Sequence, residues 1–258
     1  MWFQIEDRGP IRWLRLDRPE RKNAIPPDGW DELRSAFVDF ERSDERVLVV
    51  TGSGGEFCSG ADLDPSIAVD LSGVGARHER MKTVTETALA LHRITKPTIA
   101  AVDGVAVGAG MNLALGCDVV VATDRARFSE IFVRRGLTVD SGGTWLLPRL
   151  VGLQRAKELA LTGRMVDAEE ALRIGLVLEV VAPEHLEEAV DAMAGRMLDG
   201  APVAQMFAKQ GIDRSWDVTL EEALGWEGQS QAICFSTADV LEGMAAFLQK
   251  RRPEFRGG

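Results

Sequence analysis

Three glycines set in an apolar run, Gly104, Gly108 and Gly110 of IAAVDGVAVGAGMNLALGCDVVV (residues 99–121), mark where the backbone of this chain could do chemistry. The run opens with strand-type residues, turns at the glycines and continues with helical apolar spacing at Met111, Leu113 and Leu115. Glycine lets a chain turn sharply and approach a ligand closely, so the first N–H groups of that helix would point out of the turn. They would stabilise a small negative oxygen, either a phosphate or the oxyanion of a polarised carbonyl. The alternative is a strand-to-helix turn used for packing alone.

The side chains offer fewer candidates. Cys58, in the loop Phe57-Cys58-Ser59-Gly60, is a conceivable nucleophile, but no His or Asn partner is evident and a small buried residue is the simpler reading. His78, His92 and His185 fall in segments that read as helix or helix entry, outside any motif, and read as surface or boundary residues. Tyrosine is absent, which excludes a phenol general acid.

The elements that must hold this turn read as follows. Residues 11–16 (IRWLRL) are a strand, paired with residues 2–6 through the Asp7-Arg8-Gly9-Pro10 turn. A helix follows with Trp30, Leu33, Phe37 and Phe40 on one face and Pro27 and Asp28 as start signals. Residues 47–50 (VLVV) read as a fully buried strand ending in a glycine-containing loop, 52–59. A similar order recurs: a less ordered segment at 64–75, a helix at 79–94, the strand 98–102, and then the glycine turn. Strands at 119–122 and 126–129 and a helix at 154–162 come next. The recurrence is architectural, without a residue-level repeat. From Pro183 onward the spacing is helical, with segments at 202–210, 220–235 and 238–249. The expected division is therefore 1–198 for an α/β core and 199–258 for a helical C-terminal region.

The totals bound the function. At 258 residues, with 45% hydrophobic and 27% charged residues, the composition is that of a globular chain able to bury a large core. A formal charge of −10 argues against nucleic acid or an anionic membrane as the main partner. The odd, widely spaced Cys58, Cys117 and Cys234 suit a reducing compartment and offer no metal-ligand cluster. No signal-peptide pattern opens the sequence and no apolar stretch reaches membrane-spanning length, so the expectation is a cytoplasmic protein without a metal.

Five motifs in order, LDRPERKNAI (16–25), FCSGADL (57–63), PTIAAVDGVAVGAGMNLALGCDVVVA (97–122), GLTVDSGGTWLLPRLVG (136–152) and FLQKRRPEFRG (247–257), resemble the enoyl-CoA hydratase/isomerase (crotonase) superfamily over essentially the whole chain. The resemblance implies an α/β spiral of ββα turns with a C-terminal helical trimerisation region, assembled as a homotrimer or hexamer. It also implies an acyl-CoA thioester as substrate, with coenzyme A entering as part of that substrate and no further cofactor. Matched by motif, the two backbone N–H groups that hold the thioester oxygen belong to Ala61 and Ala109. The residue reading agrees for Ala109 at a helix start, and for Ala61 after a buried strand, where ligand sites of α/β sheets lie. The coenzyme A nucleotide is expected near Arg21, Lys22, the Ala61-Asp62-Leu63 backbone, Phe247 and Lys250.

The departures from the family pattern direct the chemistry. The two glutamates with which hydratases hold water align with Asn112 and Phe132. Glu130, two residues before Phe132, would face the same side on a strand; it is either brought back to the site by a local shift in register or surface-exposed. Asp140, four residues after Gly136, resembles the base of the family's Asp-dependent double-bond isomerases, such as the epoxide isomerase of phenylacetate breakdown; its other reading is an ordinary cap of the next helix. An isomerase with Asp140 as proton shuttle is thus the first expectation, with Phe132 and Trp145 close by to desolvate the carboxyl. A hydratase of the same fold and a noncatalytic acyl-CoA-binding scaffold are the alternatives.

Overall fold

The computed structural model describes residues 1–63 and 73–257. The segment that the sequence reads as less ordered lies mostly outside the described residues. Two compact units emerge, one formed by residues 1–94 with 98–191, the other by 95–97 with 192–258. The division falls inside the helix Leu186–Leu198 rather than after it.

The first unit is built on a six-stranded sheet in the order β1-β2-β3-β4-β6-β9. Strands β1 (Phe3–Arg8) and β2 (Ile11–Leu16) form an antiparallel hairpin; β3 (Val47–Gly52), β4 (Thr98–Val102), β6 (Val119–Thr123) and β9 (Glu179–Val181) add in parallel. Parallel neighbours need crossovers, supplied by α1 (Gly29–Arg42) between β2 and β3 and by α2 (Val74–His92) between β3 and β4. Strand β4 is buried along its whole length and β3 along all but its last residue, which is why both read as unbroken apolar runs. Trp30, Leu33, Phe37 and Phe40 of α1 all face the core, as their spacing predicts.

A second, three-stranded sheet is formed by β5 (Val105–Val107), β7 (Arg127–Ser129) and β8 (Val166–Asp167). Strand β5 corrects the sequence reading, in which the glycines lead directly into the helix. Gly104 at φ +60° and Gly108 at φ +56° turn the chain twice, and the three residues between them are too few for periodicity to reveal. Only then does α3 (Ala109–Leu115) begin. The helices α4 (Gly143–Val151), α5 (Leu153–Thr162) and α6 (Ala168–Arg173) belong to the first unit, and α7 (Leu186–Leu198) runs across the division.

A second correction concerns Glu130. No strand carries it beside Phe132: β7 stops at Ser129 and residues Ile131–Arg135 wind into a 3-10 turn closed by Gly136 at φ +70°. The β-branched run is deceptive because the left-handed glycine ends it in a turn. The second unit carries α8 (Pro202–Arg214), α9 (Leu220–Phe235) and α10 (Ala238–Gln249), the last two with the bounds that the sequence predicts. Thr219 and Glu222 start α9 with reciprocal side-chain to backbone bonds. Among the described residues no helix is long and apolar enough to cross a membrane.

Candidate active site

Two backbone segments of the first unit converge at the glycines. The loop after β3 is clamped by Asn23, fully buried at φ +55°, whose amide donates to the carbonyls of Ser53 at 2.9 Å and Glu56 at 2.6 Å. Beyond it the chain is stitched on both sides. Cys58 exchanges backbone bonds with Val105 at 2.9 Å and Val107 at 3.0 Å, while Ile25 donates to Gly60 and accepts from Asp62, at 2.8 and 2.9 Å. Ala61 is thereby fixed against Ile25.

Gly60 and Gly110 show how tightly the segments meet. A Cβ on Gly60, at φ +92°, would stand 2.9 Å from the Val107 carbonyl and 3.5 Å from the Ala109 nitrogen. A Cβ on Gly110 would stand 2.2 Å from the Cys58 carbonyl. Ala109 is the first residue of α3, after Gly108, and is buried. Among the described residues no hydrogen bond involves the N–H of Ala61 or of Ala109. Two uncommitted donors on rigidly pinned backbone are what an oxyanion requires, because no reorganisation is then needed as the charge develops.

Behind this turn lies a chain of polar groups. Asn112, one turn into α3 and buried, donates from Nδ2 to the backbone carbonyl of Asp140 at 2.9 Å and, at 3.4 Å, to Oε2 of Glu130. Glu130 has no exposed surface, so the surface-exposed reading of this residue is wrong. Burial, with the Asp140 charge adding to it, pushes its carboxyl up to about 7. Asp140 is half-buried, and burial raises its carboxyl above the ordinary value against the lowering effect of a 2.9 Å bond from the Ser141 hydroxyl. It does not cap the following helix through its side chain: the N-cap of α4 is Gly142, and no side-chain cap bond is present. Ser141 is held at φ +52°, an uncommon conformation for a residue with a side chain.

A cavity of about 380 Å³ opens at this point. Ala109, Asn112 and Ser141 form part of its wall, and Trp30, Leu113, His92, Trp145 and Leu146 supply much of the rest. The Trp145 ring meets His92 edge to face at 5.2 Å and lies under the Arg149 guanidinium at 3.7 Å. His92 is therefore a half-buried wall residue, at the boundary end of the surface-or-boundary reading. His92 stands in no pattern that marks it in the sequence, Ser141 lies in the motif of residues 136–152 without being singled out there, and Trp30 is legible only as an apolar position of α1.

The remaining sequence candidates are distributed as follows. Phe132 is buried against Gly108, its ring 3.7 Å from where a Cβ there would stand. Lys22, at φ +49°, holds Glu56 at 2.8 Å. Arg21 lies one residue earlier, in the short 3-10 turn Pro19–Arg21. Asp62 accepts from Arg18 at 3.0 Å, and Leu63 is exposed. Phe247 and Lys250 stand in the second unit, Phe247 exposed on α10 and Lys250 as its left-handed C-cap. Cys58 is fully buried, its thiol pushed up to about 12 by desolvation and donating to the Asn23 carbonyl at 3.2 Å, so it is no nucleophile.

Comparison with known proteins agrees in family. The family model described as enoyl-CoA hydratase/isomerase matches residues 6–258. The 1,2-epoxyphenylacetyl-CoA isomerase of Escherichia coli (strain K12) is 39% identical over 252 residues, 96% of this chain and 95% of that protein. The short-chain-enoyl-CoA hydratase of Clostridium acetobutylicum is 35% identical over 252 residues, 97% of this chain and 95% of that protein. The crystal structure of an enoyl-CoA hydratase from Bacillus anthracis superimposes with a TM-score of 0.94 at 31% identity, covering 100% of both chains.

Proposed function

The chain belongs to the enoyl-CoA hydratase/isomerase family, and from that premise we propose that it is a double-bond isomerase of acyl-CoA thioesters in which Asp140 carries the proton. The observation that carries this reading is the carboxyl of Asp140 itself. It is half-buried and raised above its ordinary value by that burial, it is not spent as a helix cap, and it adjoins Ser141 in the cavity wall that also holds Ala109. Its carboxylate removes a proton from the carbon next to, or conjugated with, the thioester. The C–H electron pair moves into the conjugated system, and the negative charge reaches the thioester oxygen, held by the N–H groups of Ala61 and Ala109. The Asp140 acid then returns the proton to another carbon, and the double bond has moved. A raised pKa makes the carboxylate a better base and leaves its acid able to return the proton.

The apolar wall of Trp30, Leu113, Trp145 and Leu146 suits an uncharged acyl group. In this reading coenzyme A is part of the substrate, with no separate cofactor, and its phosphates draw on Arg21, Lys22 and Lys250 while Phe247 offers an adenine contact. A homotrimer or hexamer is the proposed assembly, supported by the apolar surface left on α9 and α10 at Phe235, Leu241, Phe247 and Leu248. A monomer in sedimentation at micromolar concentration overturns that assembly.

A hydratase is the second reading, because the buried Glu130 next to Asn112 returns a carboxyl to the region where the family's hydratases hold water. One experiment separates the readings. The protein is incubated with 2-enoyl-, 3-enoyl- and dienoyl-CoA thioesters and the products are identified. Shifted double bonds support the isomerase, 3-hydroxyacyl products the hydratase, and inertness the binding scaffold.

A further inference from the structure

The proton shuttle leaves one buried acid without a task. Glu130 is closed off from solvent, its Oε2 lies 3.4 Å from Asn112 Nδ2, and its Oε1 has no hydrogen-bond partner. Asn112 Oδ1 is equally buried and equally unpartnered. Rotating the amide would not relieve this, since Nδ2 is committed at 2.9 Å to the Asp140 carbonyl and a rotated amide would set two oxygens face to face there. Two neighbouring orphaned acceptors are costly, and a charge on one of them is costlier. A single proton on Glu130 removes the charge and turns an acceptor into a donor on the side chain that already meets the Asn112 amide.

We propose that Glu130 is a positioning residue, carried as a neutral carboxylic acid whose O–H donates to Asn112 Oδ1 and so fixes the amide that holds the Asp140 backbone. The groups packed around it agree. Asn112 of α3 is neutral, Asp140 from the loop before α4 is an acid that disfavours a second negative charge, and Arg134 of the adjoining turn directs Nε to the Thr162 carbonyl at 3.0 Å. Burial pushes the Glu130 carboxyl upward in the same sense. With Glu130 neutral, Asp140 is left as the ionisable partner of the pair. The effect on turnover rests on the isomerase reading; the proton on Glu130 does not.

The test therefore has two arms. Infrared difference spectra of the wild type against Glu130→Gln, at about pH 6, should show a protonated-carboxyl stretch that the variant lacks, and in the wild type alone that band should fade as pH is raised past neutrality. A difference spectrum containing only ionised carboxylate overturns the proposal. In the second arm, enoyl-CoA isomerisation is compared in Glu130→Leu and Glu130→Gln. The amide can still donate to Asn112, so Gln should exceed Leu by at least about tenfold in kcat, at similar KM. Equal rates in the two variants overturn the positioning role. A wild type inert on every thioester defeats the isomerase reading instead, and the infrared band then decides for or against Glu130.

Discussion

The side-chain amide of Asn112 donates to the backbone carbonyl of Asp140 at 2.9 Å, so the helix that begins at Ala109 and the loop that carries the acid are joined by one side-chain bond. The bond fixes the distance between two chemical functions contributed by different turns of the fold. Replacing Asn112 by Leu keeps the branched shape but removes the amide donor shared by the Asp140 carbonyl, which retains only the 3.0 Å bond from the Gly143 N–H, and by the buried Glu130 carboxyl. The expected loss is about 1–3 kcal/mol of stability, read as a lower denaturant midpoint at unchanged m-value.

The turn that carries Ala109 leaves no room for a side chain at Gly110. Its backbone is helical, so Gly110→Ala adds no dihedral strain and would gain helix propensity on an exposed helix. Here the new Cβ would lie 2.2 Å from the Cys58 carbonyl, and the loop carrying Ala61 must move. Turnover should fall by about 100-fold or more, comparable to the loss of one oxyanion donor, although the substituted residue offers no functional group. A rate within threefold or so of the wild type would mean that the two N–H groups do not hold the thioester oxygen.

Much of this was legible in the sequence, for identifiable reasons. The apolar runs of β3 and β4 and the single-faced spacing of α1 are dictated by burial, and the chain folds as they read. The convergence of residues 57–61 on residues 104–110 was readable only through the family resemblance, because the bonds from Cys58 to Val105 and from Val107 to Cys58 are contacts between distant segments of the chain. Of the two readings of Glu130 the surface one fails, and the strand expected to carry it does not form for a local reason: Ile131 and Val133 have strand propensity, and the left-handed Gly136 that winds them into a turn lies several residues downstream. His92 carries no local signal at all. Its place beside Trp145 depends on how α2 meets α4.

Glu130 also makes a prediction about stability. Its folded-state value, about 7, exceeds its ordinary value of 4.5, so the folded chain binds the proton more tightly than the unfolded chain. The stabilisation is fully present below the ordinary value and is lost as pH rises through about 7. Glu130→Gln cannot ionise and should lack this decline. The difference between wild type and variant, followed by thermal melts across that range, should change by up to about 3 kcal/mol. Parallel curves would place the proton elsewhere.

Lys22 is a surface cation whose present partner is Glu56, and an exposed pair of this kind contributes little to stability, about 0–1 kcal/mol. If it exchanges that partner for a coenzyme A phosphate, Lys22→Ala should melt close to the wild type yet bind coenzyme A several-fold more weakly at low salt, with the gap closing as salt screens the contact. The same titration applied to Lys250→Ala tests the second proposed cation. Unchanged affinity in both variants would move the nucleotide to another surface.

Asp140→Asn brings activity and stability into opposition. If the carboxylate is the general base proposed above, isomerisation should fall by at least about 100-fold while coenzyme A thioester affinity is retained. In the wild type, turnover should decline as pH is lowered through the raised pKa of Asp140, since only the ionised form accepts a proton. Stability moves the other way. Burial raises this carboxyl in the folded chain, so the ionised form is disfavoured there, and folding stability is lost as pH rises from the ordinary value of 3.8 through the raised one. Asparagine cannot ionise. The variant should therefore melt at a higher temperature than the wild type at pH 7, and the two melting temperatures should converge in acid, where the wild-type carboxyl is protonated. A helix-capping aspartate would give the opposite sign, a variant that melts earlier at neutral pH. A slow, more stable Asp140→Asn identifies a group kept at some expense in stability for its chemistry; a fast one, or one that melts earlier, returns Asp140 to a structural role.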